Sequence, residues 1–139
     1  MTERKRERGA AAVEMAFMTM FLIILVTGII DLGRAIYTNI SVQEAAQEGA
    51  FYGGFEETVT KSDIVDRTVG STGSITLDPA DVVVTCNAIT RGKRNAARVQ
   101  VDVSYDLTLI TPVVGQWLGG TLTLNKTAEA ERFYTNCPA

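Results

Sequence analysis

The sequence predicts an α+β fold, one long N-terminal helix packed on a small antiparallel β-sheet of about three strands. An uninterrupted apolar run occupies Ala10–Ile30, and helical spacing of apolar and polar residues continues from there with no proline between residues 10 and 53. From Val82 onward the apolar period changes to two, the period of a half-buried strand. With 139 residues the chain is long enough for one such domain and no more.

The run Ala10–Ile30 forms a helix of roughly 32 Å, close to the hydrocarbon thickness of a bilayer. Its only ionisable residue is Glu14. It reads as a transmembrane segment. The preceding residues carry Arg4, Lys5, Arg6 and Arg8 against Glu3 and Glu7, a balance that keeps the N-terminus cytoplasmic and sends everything after Ile30 out. Helical spacing then places Leu32, Ala35, Ile36, Ile40, Val42, Ala46 and Ala50 on one stripe, with Arg34, Asn39, Gln43, Glu44, Gln47 and Glu48 mostly off it. A helix over 10–53, ended by Gly53–Gly54, is expected. Along it, Ala45, Ala46, Gly49, Ala50 and Gly53 let another backbone approach closely, either the chain's own sheet or a neighbouring subunit's helix.

Thr60 and Asp63 have the spacing of a capping box, and a short helix is expected over 60–70, followed by turn chemistry at Asp78-Pro79-Ala80-Asp81. Three strands follow: Val82 to Ile89, a strand alternating Val99, Val101, Val103, Tyr105, Leu107 and Leu109 against polar residues, and Thr121 to about Phe133. Thr111-Pro112 breaks the second strand, and the stretch 113–120 carries the only tryptophan, Trp117, which reads as core or interface rather than as a ligand platform. The organisation is thus a basic leader over 1–9, a transmembrane segment over 10–30, an amphipathic extension over 31–53 and an exported α+β domain over 54–139.

Cys86 and Cys137 stand too far apart for a CxxC redox or zinc motif, and in an exported domain a disulfide between them is the simplest reading, with two unpaired buried thiols as the alternative. Such a bridge pins the C-terminal tail to the first strand. Histidine is absent, which removes Ser-His-Asp and Cys-His catalysis and the usual zinc sites. Neither Asp63/Asp66 nor Asp78/Asp81 has the spacing of a calcium loop. No enzyme activity, cofactor or metal is expected. Removing residues 1–9 takes four of 13 basic and two of 16 acidic residues and moves the net charge from −3 to near −5, so nucleic acid is not an expected partner. The cluster Arg91, Lys93, Arg94 and Arg98 reads as a solvated turn before an anion-binding patch.

Gly9 borders the leader and the apolar run, and a carboxylate follows at Glu14. A glutamate in an apolar segment costs about 2.5–3.5 kcal/mol at a helix centre and less near an end, so it needs a partner or a function. Cleavage between Gly9 and Ala10 supplies one, because the new α-amino group lies a little over one helical turn from Glu14, in the same chain or in the next subunit. Pairing the two charges fixes the stagger of bundled helices, since any other register leaves a charge alone. The alternative is a Glu14 that snorkels to the interface.

The segment Gly9-Ala-Ala-Ala-Val-Glu14-Met-Ala-Phe, the apolar run, Gly28-Ile-Ile-Asp31-Leu-Gly33-Arg34-Ala-Ile-Tyr37 and Ala45-Ala-Gln-Glu48-Gly49-Ala50 resembles the TadE-like minor pilins or pseudopilins of tight-adherence (Tad/Flp) type IV pilus systems. The likeness is close over 9–50 and one of pattern beyond it. It departs from the major pilins in Met15, where those place tyrosine, and from many such spans in Met20, near the place of a proline. The resemblance implies cleavage after Gly9 by a membrane prepilin peptidase, with Glu14 serving processing or assembly. It implies as partners that peptidase, other pilin subunits, the pilus assembly machinery and membrane lipid. The implied location is the bacterial inner membrane, single-pass, with passage into an extracellular pilus. An uncleaved anchor presenting a small extracytoplasmic binding domain is the alternative.

Overall fold

The structure, a computed structural model, describes residues 3–73, 75–91, 94–110, 119–132, 134 and 136–138, with the backbone alone for 3–8, 91, 94 and 95. Helix α1 runs Glu3–Phe55 and α2 runs Lys61–Gly70; a single 3-10 turn, Pro79–Asp81, leads into strands β1 (Val82–Arg91), β2 (Arg94–Thr108) and β3 (Thr121–Arg132). The strands form one antiparallel sheet in the order β1-β2-β3, so the fold is α+β as expected. The chain forms two compact units, Met1–Ala35 with Thr108–Leu122, and Ile36–Leu107 with Thr123–Ala139.

The second unit holds the core. In the central strand Ala97, Val99, Val101, Val103 and Leu107 are buried, while Arg98, Gln100, Asp102, Ser104 and Asp106 face the other way. Period two is what a sheet with one wet face requires. Val82, Val84 and Cys86 of β1 stand opposite Val103, Val101 and Val99 and share their face. On the polar face Thr123 and Thr127 donate to Asp106 and Asp102, each at 2.6 Å, and Arg98 pairs with Glu129 at 3.1 Å and Glu131 at 3.6 Å. Of the basic cluster, Arg98 is therefore tied across strands. Lys93 and the side chains of Arg91 and Arg94 lie outside the described residues.

The face that α1 turns to this core is narrower and smaller than the predicted stripe. Thr38, Ser41, Val42, Ala45, Ala46, Gly49, Ala50 and Gly53 are buried, whereas Leu32, Ile36 and Ile40 are exposed. Close approach explains the choice. A Cβ on Gly49 would overlap the Thr68 side chain, and one on Gly53 would lie 2.8 Å from Ile64 Cδ1 and 3.1 Å from Val99 Cγ1. The small residues thus receive the chain's own α2 and sheet.

Helix α1 ends at Phe55, one residue past the Gly53–Gly54 pair at which a stop is expected. Its last turn has no basic residue of its own, and a helix C-terminus presents unpaired carbonyls and partial negative charge. Arg132, only 4% exposed at the end of β3, supplies both needs. Its Nη1 donates to the Gly53 carbonyl, and its Nη2 donates to those of Glu56 at 3.1 Å and Glu57 at 3.3 Å. The capping box of α2 forms as expected, with Asp63 N–H donating to Thr60 Oγ1 and Thr60 N–H donating to Asp63 Oδ2. Cys86 and Cys137 are joined in a disulfide with their Cα atoms 5.8 Å apart. The loop-entropy model assigns about 4 kcal/mol at most to closing a loop of this size.

Three outcomes follow for the full chain in detergent. Gly49→Ala should lose about 1–3 kcal/mol through overpacking, whereas Gly33→Ala, where a Cβ meets nothing within 4 Å, should be neutral or better by up to about 1 kcal/mol. Chemical denaturation of the two variants distinguishes them. Arg132→Met should cost about 2–4 kcal/mol, because it strips three carbonyls of a charged donor. The Asp63 carboxylate is held below its ordinary value of 3.8 by its side-chain bond from Thr60 and then by the Thr60 backbone N–H. A lowered folded-state value makes this cap contribute above the ordinary carboxylate range and fail as pH falls through the lowered one. Carbon NMR should show the Asp63 midpoint rising in Thr60→Val; an unchanged midpoint would refute the assignment.

Candidate functional site

The first unit is dominated by the apolar part of α1. Val13, Phe17, Phe21, Ile23, Leu25 and Ile29 are exposed, as are the other large apolar residues of this run apart from Ile24, and the most apolar part of the helix is nowhere buried. Each large apolar side chain left in water forgoes about 1.5–3 kcal/mol relative to burial. A continuous surface of this kind calls for a bilayer or for other helices. The helix from Gly9 is long and apolar enough to cross a membrane.

Its two threonines are already satisfied. Thr19 Oγ1 donates to the Met15 carbonyl at 2.8 Å, and Thr27 Oγ1 donates to those of Ile23 at 2.9 Å and Ile24 at 3.1 Å. Back-bonding of this type lets a hydroxyl enter lipid without an unmet partner. Glu14 is then the one polar side chain of Ala10–Ile30 that the helix itself does not satisfy.

Around Glu14 the helix is regular. The Gly9–Ala10 bond lies inside α1, a Cβ on Gly9 would meet nothing within 4 Å, and Glu14 is exposed. Ala10 and Glu14 stand four residues apart and so on one face. Among the described residues no ion pair engages Glu14. Cys86 and Cys137 belong to the second unit, where their bridge ties the tail to β1.

The far end of the apolar run carries an arrangement that sequence reasoning missed. Asp31, 5% exposed, accepts the Ile110 backbone N–H at 3.0 Å. Arg34 lies 3.6 Å from Asp31, and its Nη1 donates to the Thr108 carbonyl at 3.4 Å. Leu109 N–H donates to the Gly120 carbonyl at 3.2 Å, so both limbs of the β2–β3 connection meet beside these two charges. The i, i+3 spacing of Asp31 and Arg34 directly after the apolar run is a visible signal, but their partners lie about eighty positions away and have no local trace. Pro112 and Trp117 lie outside the described residues.

No curated protein and no solved structure matches the chain. A family does match, described as TadE-like protein, over residues 9–50. The matched stretch begins at Gly9, contains Glu14, the apolar run, Asp31 and Arg34, and ends on the buried small-residue face of α1. It is by this segment, and with the whole of the apolar helix inside it, that the chain is similar to the TadE-like proteins.

Proposed function

We propose that the chain is a minor pilin or pseudopilin of a Tad/Flp type IV pilus, a structural component with no catalytic role of its own. The observation that carries this reading is the coincidence of the TadE-like match with an apolar helix whose side chains are left uncovered. The leader's positive charge holds the N-terminus in the cytoplasm, the span stores the protein in the inner membrane, and the second unit is exported.

A prepilin peptidase hydrolyses the Gly9–Ala10 amide with water, leaving a carboxylate on Gly9 and an amine on Ala10. A helical bond has to unwind before a protease can grip it. Gly9 lowers that cost by about 1 kcal/mol relative to alanine, and nothing packs on it. The freed amine then pairs with Glu14 as the helix leaves lipid for the company of other subunits, and the pair sets their stagger. Other pilins and the assembly machinery are the partners.

Intact mass of protein purified from membranes should show loss of residues 1–9; a chain still starting at Met1 in a host with an active peptidase would sink the processing claim. Leaving one member of a buried charge pair alone costs about 3–5 kcal/mol, so Glu14→Leu should reduce incorporation into sheared filaments more than about ten-fold. An uncleaved anchor with a binding domain would tolerate that substitution.

A further inference from the structure

We propose that the outer face of α1 between Ile36 and Phe55 docks a helix of a different subunit, apolar at three- and four-residue spacing and carrying a lysine or arginine opposite Glu44. This names a partner within the reading of the chain as a pilus subunit and rests on it. The face lies across the helix from the buried row of Val42, Ala45, Ala46 and Gly49 and belongs wholly to the second unit. Ile36, Ile40, Glu44, Gln47, Phe51 and Phe55 follow one another along it at three or four residues. A helix that covers its own core turns polar residues outward, whereas one that is apolar on both sides is covered on both. Here Ile36, Ile40, Phe51 and Phe55 are each about half exposed, and the rings of Phe51 and Phe55 pack with their centroids 4.2 Å apart.

Charge decides what covers them. No lysine or arginine occurs between Ala35 and Phe55, whereas a helix face that settles on a membrane surface is rich in both. The charge in the middle of the row is Glu44, which is exposed, and among the described residues no ion pair engages it. Glu44 lines a hollow with Ile40, Gln43 and Gln47. An apolar wall beside a carboxylate and two carboxamides suits the stem and the head of a long basic side chain. A second copy laid face to face brings carboxylates together and supplies no cation. The described arginine side chains are engaged elsewhere: Arg34 with Asp31, Arg67 with Glu48, Arg98 with Glu129, and Arg132 with the carbonyls at the end of α1. Lys61 opens the polar turn Lys61-Ser62-Asp63 and Lys126 stands in β3, so neither offers an apolar helix row. A different chain therefore supplies the cation.

Photo-crosslinking in membranes of the native host tests this, with p-benzoylphenylalanine placed at Ile40 of the full-length chain. The expected product is an adduct with one other polypeptide, mapped by mass spectrometry to an apolar helix within one turn of a lysine or arginine. Glu44→Lys should cut its yield by more than about ten-fold, and replacing the mapped cation by glutamate in the partner should restore it. Because Glu44 is exposed, this variant keeps the fold, which retention of the Cys86–Cys137 bridge checks. An adduct with a second copy of the chain, an adduct with lipid, no adduct, or a yield indifferent to Glu44→Lys overturns the inference. Intact mass from the same membranes tests the pilin reading separately. Loss of residues 1–9 without the heterologous adduct overturns the docking face alone, whereas an adduct formed by a chain still starting at Met1 keeps the docking face and removes the processed subunit.

Discussion

At Gly49 and Gly53 the backbone of α1 comes so near to Thr68, Ile64 and Val99 that no residue larger than glycine fits without displacement. The rest of the second unit depends on that closeness. With α2 and β2 drawn against a face of Val42, Ala45, Ala46 and Ala50, a core made largely of valines is buried although the chain has few large side chains there. Ile64, fully buried in α2, is the one large residue that meets both glycines. The capping box at Thr60 and Asp63 fixes where α2 begins and hence where Ile64 and Thr68 point.

Close packing buries Gly53 and Gly54 near the end of α1, so the Gly53 carbonyl finds its partner inside the protein. This is why a buried arginine at the last position of β3 is tolerated. Arg132 exchanges hydration for three carbonyls and the negative end of the helix, a charge-assisted arrangement that makes the final strand part of the helix terminus. The disulfide from Cys86 to Cys137 holds the residues just beyond it against the opposite edge of the same sheet. Strand, cap and bridge together fasten a short C-terminal segment that would otherwise fray.

Much of this was legible because its causes are local. Alternation from Val99 to Leu107, the Thr60–Asp63 spacing, and the absence of proline before Gly53 each act over a few residues, and each gave the element found. The rest had mostly distant causes. The partner of the Gly53 carbonyl at the end of α1, Arg132, stands 79 positions away and has no local trace. Leu32, Ile36 and Ile40 recur at helical spacing, but at about 100° per residue their row lies off the face of Val42, Ala46 and Gly49 and stays exposed. Asp31 and Arg34 have their partners, Ile110 and Thr108, more than seventy positions along the chain.

The proposed site divides the same way. Gly9 and Glu14 stood out since a carboxylate in an apolar run has no cheap explanation, and the helix resolves every other polar group there by back-bonding. That leaves Glu14 as the only specific handle on an otherwise featureless greasy surface, which can slide and rotate at little cost. In the proposed filament one discriminating charge lets a helix of this kind choose a register, and a charge near an end is the one that lipid tolerates best. Position five after the glycine meets both conditions. The opposite end is governed by the contrary logic: Asp31 and Arg34 are consumed by the chain's own backbone, so they hold the β2–β3 connection to the helix and offer little net charge to a neighbour.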